Sequence, residues 1–93
     1  MIVSFDSKET ELVWRGEFSR RLPQDIQKTA LRKLRMLNNA TRLEDLRVPP
    51  SNHLGALKRD RAGQHSIRIN DQRRICFVWT TGGPAHVEIP DYH

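Results

Sequence analysis

The spacing of apolar residues changes character near residue 50. Before that point they recur at helical intervals; beyond it they alternate with polar ones. Ile26, Ala30, Leu34 and Leu37 follow one another at three or four residues, with Leu31 beside them. This predicts a helix over 23–40 with one apolar stripe. Pro23 suits its first turn, where a missing N–H costs nothing, and Asn38-Asn39 can stop it. Lys28, Arg32 and Arg35 fall on another face, either as solvated surface or as a contact for a polyanion. Upstream, residues 2–5 (Ile-Val-Ser-Phe) read as a short strand. Ser7 is placed to cap a short helix over 8–15 that Gly16 ends. Residues 43–46 offer one more turn before Pro49-Pro50 breaks the chain.

After the prolines the elements become strands. Residues 53–58 lead into a turn over 60–63, where Gly63 suits the left-handed position of a bulged hairpin. Ser66, Arg68 and Asn70 then alternate with Ile67 and Ile69, and Asn70-Asp71-Gln72 supplies a second turn. Residues 73–80 are the most apolar stretch, with Ile75, Phe77 and Trp79 on one face and Cys76 and Val78 on the other. Gly82-Gly83-Pro84 is expected as a third turn and 87–89 as the last strand. Successive strands joined by short turns make an antiparallel sheet. The expected class is α+β, with an N-terminal strand and two helices packed on one face of that sheet.

Length limits what such a fold can hold. Ninety-three residues predict one domain over 1–93, and a domain of this size has a thin core. Chemistry is therefore expected on an open sheet face or in a shallow groove. Sixteen Lys and Arg against 11 Asp and Glu give a formal charge of +5, which makes a polyanion the natural partner. The single cysteine, Cys76, rules out a disulfide within one chain and a four-thiolate zinc site. The start of the chain lacks the basic and long apolar regions of a signal peptide, and no apolar run is long enough to span a membrane. The expected location is the cytoplasm, with no membrane partner.

Two groups of residues carry candidate chemistry. Lys58, Arg59, Arg61, Arg68, Arg73 and Arg74 crowd into 58–74, offset only by Asp60 and Asp71. A meander would gather several of them, and fixed cations stabilise charge building on a phosphoryl group. The chain closes on Asp91-Tyr92-His93. Cutting RNA without a metal takes a base for the ribose 2′-proton, a cation for the phosphorane and an acid for the leaving 5′-oxygen. Histidine is suited to acid or base work near neutral pH, tyrosine to stacking or hydrogen bonding, and aspartate to orienting an imidazole. Ordinary surface charge and a frayed chain end are the plain alternatives. His53, His65 and His86 have no metal-ligand spacing, and no glycine-rich phosphate loop occurs, so no metal and no cofactor are expected.

The run LKRDRAGQHSIRINDQ at 57–72, RICF at 74–77 and VEIPDYH at 87–93 together resemble the killer proteins of plasmid-maintenance systems. These form the HigB family, a branch of the RelE/ParE superfamily of toxins. The similarity extends over the whole chain. It implies a compact RelE-like fold with an RNA-cleaving site on the concave sheet face. It assigns to that site Asp91, Tyr92, His93, Lys58 at the end of the second strand and Arg74. It further implies dependence on the ribosome and mRNA, a helix-turn-helix antitoxin of the HigA type, and operator DNA reached only through the antitoxin complex. Arg73 departs from the family, where an aromatic residue is common. Two other readings share this basic α+β outline: a ParE-like inhibitor of DNA gyrase that cleaves nothing, and a nucleic-acid-binding module without activity.

Overall fold

A computed structural model describes residues 1–90. Two helices, α1 (Lys8–Trp14) and α2 (Gln24–Asn39), precede four strands: β1 (Gly55–Ala56), β2 (His65–Arg68), β3 (Arg74–Thr80) and β4 (Gly83–Glu88). The strands pair antiparallel in chain order. The α+β expectation therefore holds, with helices on one face of an antiparallel meander.

The helices form where their ends and stripes predict. Ser7 caps α1, its hydroxyl accepting from the Thr10 amide at 3.2 Å. Gly16 follows the helix at φ 81°, a value that costs glycine little. Pro23 stands at the cap of α2 rather than inside its first turn. The predicted stripe of Ile26, Ala30, Leu34 and Leu37 is buried against Ile67, Ile75, Phe77 and Val87 from the strands. Lys33 is buried on the same side of α2.

Three strand expectations need correction. The N-terminal segment touches the sheet through one parallel bridge, Phe5 to Val87, with the Val3 amide donating to Pro84 O at 2.8 Å. It covers the free edge of β4, where Pro84 is tolerated because an edge strand need not offer every N–H. The last strand covers 83–88, not 87–89, and its turn is Thr81-Gly82. Gly83 pairs in the ladder opposite Thr80, and the close passage of Met1 requires a glycine there: a Cβ would sit 2.2 Å from Met1 O, and its φ is 124°. Ile89 has left the ladder and gives its N–H to Thr10 Oγ1 at 2.8 Å. Finally, only Gly55 and Ala56 of the segment 53–58 pair as strand.

The link from α2 to β1 runs through two 3₁₀ turns, Leu43–Arg47 and Pro50–Asn52. Asp45 organises the first, its carboxylate accepting from the Thr41 and Arg42 amides and from Thr41 Oγ1, each at 3.0 Å. These bonds favour the charged form and hold its pKa below the ordinary 3.8. A depressed carboxyl stabilises the fold above its unfolded pKa and loses that contribution as pH falls through the lower, folded one. Asp45→Asn is expected to flatten the fall of melting temperature below pH 3.8 while leaving the neutral plateau only slightly lower. Thermal melts across that range, variant against wild type, check it.

Candidate active site

Strand register sorts the charged residues. Ile67 lies opposite Ile75 and both enter the core beneath the helices. Their neighbours therefore point the other way: Ser66 opposite Cys76, Arg68 opposite Arg74, and Glu88 beyond Cys76. Ser66 and Cys76 are buried on this outer face, while Arg68, Arg74 and Glu88 are only partly so.

Arg74 is the most closely held cation there. Its Nε donates to Ser66 Oγ at 2.7 Å and its Nη2 to the carbonyl oxygen of His53. Nη2 also reaches Ser66 O at 3.4 Å. Of the five N–H donors of a guanidinium, this leaves the two on Nη1 for a substrate. Arg68 lies directly across the ladder and pairs with Asp71. Together with His53, Asn70, Asp71 and Gln72 the two arginines line an open cleft of about 420 Å³. Planar donors fixed at the mouth of such a cleft match the oxygens of a phosphodiester.

A second cation approaches from the β1–β2 connection. Arg61 reaches across to Glu88, Nη1 to Oε1 at 2.8 Å, and also to Gln64 at 3.2 Å. Cys76 is buried in the sheet near this pair. Burial pushes its thiol pKa up, against the pull of Arg61 and Arg74 and with the push of Glu88. The thiol stays protonated at neutral pH and is no nucleophile.

Lys58 stands exposed where the Arg59–Arg61 turn begins, with the Leu57 amide still bonded to Gln64 O at 2.9 Å just before it. Arg59 is exposed too, at φ 58°, a left-handed value costly for a side chain of its size. Arg73 is half-buried at the entry to β3, its carbonyl accepting from the Ile69 and Asn70 amides. Lys28, Arg32 and Arg35 are exposed on the side of α2 turned away from the sheet. They form a separate basic surface and do not join the cations of the outer face. Asp91, Tyr92 and His93 lie outside the described residues.

Two contributors escaped the sequence. Ser66 read as one polar position of an alternating strand, yet its buried hydroxyl receives Arg74. The His53 imidazole has no metal-ligand spacing in the sequence; it is the backbone carbonyl of His53 that holds the guanidinium. Side-chain patterns carry no signal for a carbonyl.

Comparison with known proteins identifies the family of the chain. A family model described as the RelE-like toxin of the type II toxin–antitoxin system HigB matches residues 4–93. Toxin HigB-1 of Vibrio cholerae serotype O1 is 36% identical over 83 residues, which cover 88% of this chain and 87% of that protein. An uncharacterized protein of Haemophilus influenzae is 36% identical over 64 residues, 69% of this chain and 63% of that one. The chain thus belongs to the HigB-like family, the RelE-like toxins of type II toxin–antitoxin systems.

Proposed function

We propose that the chain, acting as one domain over 1–93, is a ribosome-dependent endoribonuclease that cuts mRNA and so arrests translation. The observation that carries the reading is Arg74, fixed by Ser66 and His53 where with Arg68 it lines an open cleft on the sheet face opposite the helices. A site of this kind stabilises the transition state by position and charge, and needs a held substrate to be effective. The ribosome supplies that holding.

The ribose 2′-oxygen loses its proton to a base and attacks the neighbouring phosphorus. The bond to the 5′-oxygen breaks, that oxygen takes a proton from an acid, and a 2′,3′-cyclic phosphate remains. His93 serves as acid or base, Arg74 and Lys58 stabilise the charge on the phosphorane, Tyr92 stacks on or hydrogen-bonds the substrate, and Asp91 orients the site. Arg68 in the cleft, with Arg59, Arg61 and Arg73, binds the RNA backbone. Lys28, Arg32 and Arg35, on the other side of the protein, are placed for the ribosome instead. The chemistry calls on no metal or cofactor. The partner in the cell is a helix-turn-helix antitoxin, and operator DNA is met only through that complex. The site of action is the cytoplasm; no described helix is long and apolar enough to cross a membrane.

Induction of the protein in cells tests the reading. Messenger RNA is expected to be cut within reading frames, with 2′,3′-cyclic phosphate ends and intact chromosomes. DNA breaks and an SOS response with intact mRNA would transfer the assignment to gyrase.

A further inference from the structure

Two polar side chains lie sealed beneath the link between α2 and β1. Lys33 belongs to the buried side of α2 and is 6% exposed; Asn52 ends the Pro50–Asn52 turn and is 0% exposed. The Lys33 ammonium donates to Asn52 Oδ1. Asn52 Nδ2 in turn reaches Leu46 O and Met36 Sδ, each at 3.1 Å. Taking an ammonium out of water is costly. Burial, with the nearby charge of Arg32, lowers the Lys33 pKa from its ordinary value. An apolar residue of similar length would fill the space without that cost, so stability alone gives no reason for a lysine here.

The position of the next residue supplies one. His53 adopts a left-handed conformation, φ 46° and ψ 53°, and its amide donates to Pro50 O at 3.0 Å. Such values are uncommon for residues other than glycine, histidine being one of those that adopt them more readily, and they persist where the surroundings hold them. They leave the His53 carbonyl accepting from Arg74 Nη2. The contacts therefore run without a break from α2 to the outer sheet face: Lys33 to Asn52, along the backbone to His53, and on to Arg74.

We propose that Lys33 is a positioning residue: through Asn52 it fixes the His53 carbonyl, and that carbonyl aims the Arg74 guanidinium into the cleft. The proposal rests on the reading of Arg74 as the phosphate-holding group. Lys33 itself touches no substrate.

The test is a double-mutant cycle between Lys33→Met and Arg74→Ala, followed by cleavage of ribosome-bound mRNA. In the wild-type background Lys33→Met is expected to lower kcat by about 10- to 10²-fold with KM unchanged, the size of loss that misplacing a catalytic group produces. In the Arg74→Ala background it is expected to change nothing further, because both changes remove one function. Where Lys33→Met fails to fold, Lys33→Met/Asn52→Leu replaces it, since removing both polar partners strands neither; the same loss of kcat is expected. A folded variant cutting at the wild-type rate, or losses that multiply independently of Arg74, would overturn the proposal. NMR of the Arg74 guanidinium provides a readout independent of activity. Its N–H resonances are expected to be sharp in the wild type and broadened in both Lys33 variants. Unchanged resonances would sink the positioning role even if the wild-type protein proved to cut no RNA, a result that would count separately against the proposed function.

Discussion

Arg74→Ala is expected to lower the rate of mRNA cleavage on the ribosome by about 10²–10³-fold, the range for loss of one fixed donor to a developing anion. The effect is large because of how the side chain is held. Three acceptors, Ser66 Oγ, the Ser66 carbonyl and the His53 carbonyl, restrict the guanidinium before any substrate arrives, so little ordering remains to be done in the transition state. Arg74→Lys keeps the charge but lacks the planar fork that meets these acceptors, and is expected to restore only part of the rate. The structural cost is smaller. Ser66, 1% exposed, loses the partner of its hydroxyl, which is worth about 1–3 kcal/mol. A melt of each variant beside its single-turnover rate separates the two effects. An Arg74→Ala protein that stays folded and cuts at full speed would remove Arg74 from the site.

His93→Ala is expected to cost about 10²–10⁴-fold, the usual contribution of a positioned acid or base. The loss should fall on the chemical step, leaving the affinity for ribosomes unchanged, because the imidazole is assigned a proton and not a phosphate. Comparing pre-steady-state cutting with ribosome co-sedimentation checks this. Lost sedimentation with cutting normal in the bound fraction would make His93 a binding residue instead.

How far the sequence spoke depended on the kind of physics at each position. The α2 stripe was legible because burial on one helix face imposes a 3.6-residue period, and Ile26, Ala30, Leu34 and Leu37 all fell in the core. The same period did not show that Lys33 shares that buried side, because a lysine there reads as a break in the stripe. β2 and β3 were legible from alternation, and their register then set Arg68 beside Arg74. The last strand was misplaced because Gly-Gly-Pro has the composition of a turn, while the close passage of Met1 over Gly83 is a tertiary contact with no local signature. Sequence crowding also grouped cations that the fold treats differently. Arg61 is drawn into a pair with Glu88, Arg59 stands exposed, and Arg68 and Arg74 line the cleft.

The proposed site joins two kinds of knowledge. Arg68, Arg74 and the cleft between them are described in the fold. Asp91, Tyr92 and His93 rest on residue chemistry and on membership of the toxin family. In the proposed function both serve one reaction, the attack of a ribose oxygen on a phosphate held by Arg74.

Primer extension on an mRNA bound to purified ribosomes, with and without this protein, tests ribosome-dependent cleavage itself. New 5′ ends that appear only when ribosomes and protein are both present are the predicted result. Uncut mRNA, from a preparation that still arrests growth when produced in cells, would contradict the account and point to gyrase.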